Sequence, residues 1–500
     1  MASRLTRLLV VLFLLTTSCN PSATVTSSPT PIPSVDDLAI YKAALIAGSQ
    51  NDLAQLDRPT RYGLSLSYDP ATQVLSGSED ARYVNRQSIP LNEIYFRLFA
   101  NYPDSGGSIT VSNLTVDSAP QAFTLEVQGT ALRVPLTRPL APNAAVNLHL
   151  DFLVKIGRNS KGHYADFTAN DSITTMPSVY PLIPAYDAQG WHIELPPPYG
   201  DLVYADVSLY AVTMTVPTTL TVIASGSTVG TTDNGSGTKT WRLVGAPMRD
   251  FDLNVTAQLT AATSILGETT VNSWYEAVDA DAGKKALKFA TDALRIYQNR
   301  FGTYPYRELD VVETPTTAGG IEYPGIVVLA RNLYHDPREA DYFEFAAVHE
   351  VAHQWWYGMV GDDQVNQPWV DESLAQYSSL IDFEDLRGAS SRSTIVRQIF
   401  QDPYNRAKSA GHDAPVNLPV SAYNESDYSA IVYGKGPLFY DAIRTKMGDT
   451  LFFKFLQTYF ERFRYKIAGG TDILKTAENT CSCSLQNEYA NWITTPSHSP

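Results

Sequence analysis

The chain has little cysteine, a deficit of positive charge and no apolar run long enough to cross a bilayer near its start. Three cysteines occur in 500 residues. Cys481 and Cys483 stand one residue apart, so a local bridge closes a small ring and a reduced pair is the alternative. Two thiols alone are a weak metal signal, and no function follows from them. Lys and Arg number 37 against 52 Asp and Glu, a net charge of −15. Without a basic patch there is no electrostatic case for a nucleic-acid partner. The apolar run over residues 8–15 follows Arg4 and Arg7 and is too short to span a membrane. It reads as a targeting segment. No internal repeat is present.

The run leads to Thr16-Thr17-Ser18-Cys19, which resembles the lipobox of bacterial lipoproteins with Thr16 at the usual Leu position. Cys19 is therefore the expected lipidation site, and a membrane contact through that lipid is the expected partner. Residues 20–45 begin Ser/Thr/Pro-rich, with Pro21, Pro29, Pro31 and Pro33. This composition buries little and reads as a flexible tether.

From about residue 57 to 260 the sequence alternates apolar and polar positions in short runs. Residues 62–68, 109–116 and 210–216 are examples, separated by turns such as Asp233-Asn234-Gly235. No helical period interrupts them, and 29 tyrosines suit a β-rich half. The pattern then changes. Helical spacing covers 282–301, a strand is expected at 309–313, and another at 326–329. A helix is expected over 338–357, with others at 436–446 and 449–465. The expected organisation is a leader (1–19), the tether (20–45), a β-domain (46–262) and a catalytic domain (263–495).

The chemistry is carried by His349-Glu350-Val351-Ala352-His353 and by Glu372, eighteen residues further on. On a helix, His349 and His353 project from one face. Two imidazoles and a carboxylate from a second helix make a three-ligand site for one Zn²⁺, and Glu350 lies close enough to act on a water there. Pro368 suits the first turn of the helix bearing Glu372. The surroundings of Phe343, Phe345, Val348, Trp355 and Trp356 are apolar, and charged groups among them need partners.

With these residues in place, the chain resembles the gluzincin aminopeptidases, the family of membrane alanyl aminopeptidase and leukotriene hydrolase. The resemblance rests on three blocks: the HExxH-to-Glu spacing, Gly319-Gly-Ile-Glu-Tyr323, and Tyr433-Gly-Lys-Gly436. It covers about residues 57 to 493 and implies an α+β fold. An N-terminal all-β saddle or sandwich domain would precede a thermolysin-like, mainly helical zinc domain with a small sheet. It implies His349, His353 and Glu372 as ligands of one zinc ion, Glu350 as general base and Tyr433 as donor to the developing oxyanion. Glu322 would bind the free α-amine of a peptide, while Gly319 and Gly320 admit its backbone.

The sequence departs from the family pattern at Ile321 and Tyr323, and at Asp371 and Ser373 on either side of Glu372. A second amine-binding residue is not evident in 180–187. With 128 residues after Glu372, the large helical domain of many relatives is not accommodated, and a more open cleft is expected. The expected activity is aminopeptidase. The alternatives are a zinc endopeptidase or other zinc hydrolase, and a non-catalytic surface-binding protein.

Overall fold

The computed structural model describes residues 37–496 apart from 162, 337 and 339. The predicted lipidation site, Cys19, lies outside the described residues. The first half is built on an eight-stranded sheet. Its strands run Ser227–Asp233, Thr238–Met248, Ser208–Pro217, Thr60–Asp69, Val74–Val84, Ala145–Lys155, Ser108–Val116 and Ala119–Pro120 in spatial order. Thr60–Asp69 shows why these residues form strands: Tyr62, Leu64, Leu66 and Tyr68 alternate inward and are buried. A three-stranded and a four-stranded sheet complete this half.

The second half holds a five-stranded sheet in the order Thr260–Leu266, Thr269–Tyr275, Glu308–Thr314, Ile326–Ala330 and Gly320–Tyr323. Ile326–Ala330 is buried throughout, as expected of an inner strand covered on both faces. Gly320–Tyr323 pairs with it antiparallel and forms the sheet edge. Helices α1 (Ala280–Arg300), α2 (Arg331–His335), α3 (Ala340–Ala352) and α4 (Trp369–Arg387) follow the chain around this sheet. Pro368 immediately precedes α4, its fixed φ of −58° already helical.

Four expectations need correction. The tether does not extend to residue 45: Ile40–Ala44 is a 3₁₀ helix with Tyr41, Ala44 and Leu45 fully buried, because their apolar bulk finds a place in the core. The expected junction at 262/263 falls inside Thr260–Leu266, a strand that pairs into the five-stranded sheet rather than the β-half. Helix α3 is shorter than 338–357. It ends at Ala352, where Gln354 and Trp355 turn their N–H groups to carbonyls three residues back and Trp356 bridges to Val360. The helix expected over 449–465 ends at Phe463, and Tyr465 has a positive φ of 65°.

Arg249 locks the two halves together. It is fully buried and donates to the carbonyls of Ala205 (2.9 Å), Tyr357 (2.6 Å), Met359 (3.3 Å) and Lys466 (2.7 Å). The turn after the histidines is thereby held from the β-half. Cys481 and Cys483 form a local disulfide. Among the described residues, no helix is long and apolar enough to cross a membrane.

Candidate active site

His349 and His353 leave the end of α3 toward Glu372 in the first turn of α4. His349 Nε2 lies 3.1 Å from His353 Nε2 and 3.2 Å from Glu372 Oε2, and His353 Nε2 lies 3.3 Å from the same oxygen. Three corners of a tetrahedron about an ion at 2.0–2.1 Å are separated by about 3.3–3.4 Å, so the triangle has the size that Zn²⁺ requires. The chemistry of the donors agrees. His353 Nδ1 donates to the Trp356 carbonyl at 3.0 Å, which fixes the tautomer and leaves the Nε2 lone pair facing the other two ligand atoms. All three side chains are buried. Burial alone would raise the Glu372 carboxyl, but His353 and His349 bring it below its ordinary value.

Glu350 is buried on α3 and packs against the sheet-edge strand. A Cβ on Gly320 would stand 2.5 Å from Glu350 Cγ and 2.6–2.7 Å from its carboxyl atoms Oε1 and Cδ, so glycine lets the strand and the Glu350 side chain approach this closely. Burial and the neighbouring carboxylates of Glu322 and Glu372 raise the Glu350 carboxyl well above its usual value.

Glu322 is held from two directions. Gln354, immediately after the second histidine, donates to the Tyr323 carbonyl (2.9 Å) and accepts from Gly325 N–H (2.7 Å), pinning the turn that follows Glu322. Gln364 donates to Glu322 Oε1 and to Asp371 Oδ2, both at 2.9 Å. Asp371 in turn accepts from the Glu372 N–H at 2.6 Å. The chain Glu322–Gln364–Asp371 therefore ties the sheet edge to the helix that carries Glu372. Burial raises the Glu322 carboxyl to about 7.

Tyr433 sits in the π-helical turn Ser429–Lys435, its ring 6.0 Å from that of His349. Burial and the field of Glu372 raise its phenol, so it stays protonated and able to donate. Lys435 does not reach the site. It is fully buried and donates to Asp413 Oδ1 (2.9 Å) and to the carbonyls of Ala414 (2.8 Å) and Thr495 (2.9 Å), which anchors the turn bearing Tyr433. Ser373 Oγ donates to the Val432 carbonyl at 2.7 Å. A Cβ on Gly436 would overlap Ser373 Oγ. The glycine of the third block thus makes room for the serine that replaces a glycine beside Glu372.

The sequence reading missed Asp201. It enters from the Pro/Gly-rich loop Pro196-Pro-Pro-Tyr-Gly-Asp201 of the β-half, and one oxygen each of Asp201, Glu322 and Glu372 lie within 4.8 Å of one another. Burial and the carboxylates of Glu322, Glu372 and Asp371 raise its carboxyl well above the ordinary range. A lone acid in such a loop was the available signal. These groups line a cleft of about 470 Å³ together with Gly319, Gly320 and Tyr433. A Cβ on Gly319 would meet only the hydroxyl end of the exposed Tyr342.

Two histidines and a glutamate arranged for one metal ion, with a buried acid and a sheet edge across them, define a zinc-metallopeptidase type of site on a β-plus-helical fold. Residues 285–492 match the peptidase family M1 domain. Endoplasmic reticulum aminopeptidase 2 of Bos taurus is 26% identical over 209 residues, 39% of this chain and 22% of that protein. The chain thus matches less than a quarter of that relative's length. The crystal structure of an M1 zinc metallopeptidase from Deinococcus radiodurans superposes with a TM-score of 0.65 at 20% identity, covering 89% of this chain and 95% of that one. A mutant of the Deinococcus radiodurans M1 zinc metallopeptidase bound to a Tyr-Ser-Ala substrate gives a TM-score of 0.65 at 20% identity, covering 89% and 96%. These structural likenesses concern the fold.

Proposed function

We propose that the chain is a zinc aminopeptidase that removes the first residue of peptides with a free N-terminus, using one zinc ion per chain. The observation that carries this reading is the close approach of Glu322 and Asp201 to Glu372. In a substrate the α-amine nitrogen lies about 2.5 Å from the carbonyl carbon of the same residue. Carboxylates that receive the amine must therefore stand within a few ångströms of the metal ligands, and these two do, at no more than 4.8 Å from Glu372. An α-amine, with an ordinary pKa of about 7.7–8.0, is largely cationic at neutral pH and suits such a site.

His349, His353 and Glu372 would hold the Zn²⁺, which supplies a Lewis acid for the scissile carbonyl and for the attacking water. Glu350 accepts the proton of that water and returns it to the leaving amine. Tyr433 donates a hydrogen bond to the oxyanion. Glu322 and Asp201 accept hydrogen bonds from the α-ammonium, with Gln364 orienting Glu322. The free edge of Gly320–Tyr323 supports backbone pairing with the peptide. In this reading Asp201 supplies the second amine contact that residues 180–187 did not offer.

The test compares hydrolysis of matched peptides with free and acetylated N-termini, with Glu350→Gln as the inactive control. Cleavage of the free-amine peptide alone is expected; equal cleavage of both overturns the exopeptidase assignment. We also propose export and attachment to a membrane through lipid on Cys19. Cys19→Ser in the full chain should move the protein from the membrane to the soluble fraction, and an unchanged distribution rejects the anchor.

A further inference from the structure

Asp201 stands within 4.8 Å of Glu322 and Glu372, carboxylates that repel it, so the loop that carries it needs holding. The loop over 196–201 is held at three points. Tyr102 donates its hydroxyl to the Pro196 carbonyl, and Tyr199 donates to the Tyr423 carbonyl at 2.6 Å. The third hold is at Gly200. His163 Nε2 donates to the Gly200 carbonyl at 3.1 Å, while Nδ1 of the same ring lies 2.9 Å from Asp166 Oδ2. Both side chains are almost wholly buried, at 9% and 8% exposed. The Tyr102 ring packs edge-on against the imidazole, with centroids 5.2 Å apart.

The segment around His163 is strained. His163, Tyr164 and Ala165 take positive φ values of 37°, 54° and 59° in succession, a conformation that residues with a side chain rarely adopt. Such strain persists only where the surroundings impose it, and it gathers at functional sites. Here the carbonyl of Tyr164 is fixed as well, accepting from Thr316 Oγ1 and from the Thr317 N–H, both at 2.8 Å. Thr317 leads into Gly319, Gly320 and Glu322. One short segment thus grips both stretches of chain that bring the amine-binding acids together.

Resting on the aminopeptidase reading, we propose that His163 is a positioning residue for the substrate amine, setting the Asp201 carboxylate beside Glu322 through the Gly200 carbonyl. That carbonyl shares a rigid plane with the Asp201 N–H and Cα, so turning it would swing the Asp201 side chain. Gly200 itself permits such a turn. Packing demands a glycine there, since a Cβ would stand 2.7 Å from Val420 Cγ1, and glycine brings the widest backbone freedom. His163 removes that freedom. One proton on Nε2 and one between Nδ1 and Asp166 satisfy both contacts, and Asp166 keeps the ring from rotating.

The test compares two substitutions in the zinc-loaded enzyme. The amide nitrogen of glutamine stands about as far from Cβ as imidazole Nε2 and still reaches Gly200; that of asparagine takes the place of Nδ1 and reaches Asp166 alone. Asparagine is also at ease at positive φ, so it spares the backbone. With an alanine anilide, His163→Asn should raise KM about tenfold with kcat within about twofold, as loss of a contact made equally in ground and transition states requires. His163→Gln should stay within about threefold of wild type in KM. Equal damage from the two, a loss in kcat, or an unchanged KM in His163→Asn overturns the proposal. Should His163→Asn not fold, Asp166→Ala, which frees the ring without removing the donor, carries the same expectation and the same refutation. Calorimetry separates this role from the reading beneath it. On zinc-loaded Glu350→Gln protein, trialanine should bind more tightly than acetyl-trialanine, and adding His163→Asn should erase most of that difference. No difference with His163 in place rejects the aminopeptidase reading and this proposal with it; a difference that survives His163→Asn rejects the positioning role alone.

Discussion

Gly320→Ala separates the general base from the metal site. Gly320 has no positive φ, so alanine adopts its backbone conformation without strain. The added methyl, however, would lie 2.5 Å from Glu350 Cγ, 2.6 Å from Oε1 and 2.7 Å from Cδ. Carbon atoms in ordinary contact are about 3.5–4.0 Å apart, so the carboxyl group must retreat by about 1 Å. A displacement of that size at a reacting group costs on the order of 100-fold in rate, or about 2.7 kcal/mol of transition-state stabilisation. The ligands His349, His353 and Glu372 are untouched by the methyl. Steady-state kinetics should therefore show kcat down by about two orders of magnitude with KM within a few-fold, and metal analysis should show undiminished zinc. Gly319→Ala is the internal contrast. Its methyl meets the Tyr342 hydroxyl at 2.5 Å and not Glu350, so any loss should appear in KM while kcat falls far less than in Gly320→Ala. Equal damage from the two substitutions, or zinc loss in Gly320→Ala, would refute the argument that Gly320 is there to make room for the base.

Three further expectations follow from the same geometry. Arg249→Met leaves the buried carbonyls of Ala205 and Tyr357 without this donor, while that of Met359 keeps the Tyr465 N–H, and at about 1–3 kcal/mol for each unsatisfied group it should cost at least about 2 kcal/mol in urea unfolding; a shift under 1 kcal/mol would show that the clamp is dispensable. For His192, burial alone lowers the imidazole, but Glu194 and Asp187 raise it to about 9 from 6.5. A raised folded-state value adds stability that is complete below pH 6.5 and disappears as pH rises through 9. Thermal denaturation should show that decline in the wild type and a flatter profile in His192→Gln. Gly436→Ala alone should be destabilising because its methyl overlaps Ser373 Oγ, whereas Ser373→Gly in the same chain should restore most of the loss; strictly additive effects in the four-variant cycle would deny the contact.

The parts of the site that were legible in the sequence are those fixed by local spacing. His349 and His353 are four residues apart at the end of one helix, and Glu372 opens the next, so their convergence needs only two helices and a turn. The β-half was legible for the same reason: Tyr62, Leu64, Leu66 and Tyr68 alternate as a strand must. What escaped is set by distant packing. Nothing in the residues around Asp201 says that its loop folds over Glu322, and Arg249 becomes a clamp only when four separate carbonyls meet it. The end of α3 escaped for another reason. Helical spacing continues to residue 357, yet the Trp356 carbonyl is turned inward to hold His353, and a helix running on would have kept that carbonyl for its own ladder. The fate of Lys435 was likewise hidden, since the motif places it beside Tyr433 while its ammonium points away to Asp413.

The departures from the family pattern are better understood as pairs than as single losses. Ser373 adds a hydroxyl where room is scarce; Gly436, a residue that matches the family's third block, leaves space for it, and the hydroxyl donates to the Val432 carbonyl one residue from Tyr433. Asp371 adds a carboxylate to a cleft already crowded with Asp201, Glu322, Glu350 and Glu372; Gln364 spends both protons of its amide on Asp371 and Glu322. That still leaves a surplus of negative charge, which is why burial and mutual repulsion raise Asp201, Glu322 and Glu350 together. A metal ion and the ammonium of a substrate are the two positive charges such a cleft is short of. Each relieves part of the repulsion among the carboxylates, and because both draw on one negative field, a bound metal ion leaves less of that field for the ammonium that the proposed reading places beside Glu322 and Asp201. In the proposed reading a neutral, blocked N-terminus brings no charge and leaves two buried carboxylates opposed, and selectivity against it would come from that unrelieved repulsion as much as from a missing hydrogen bond.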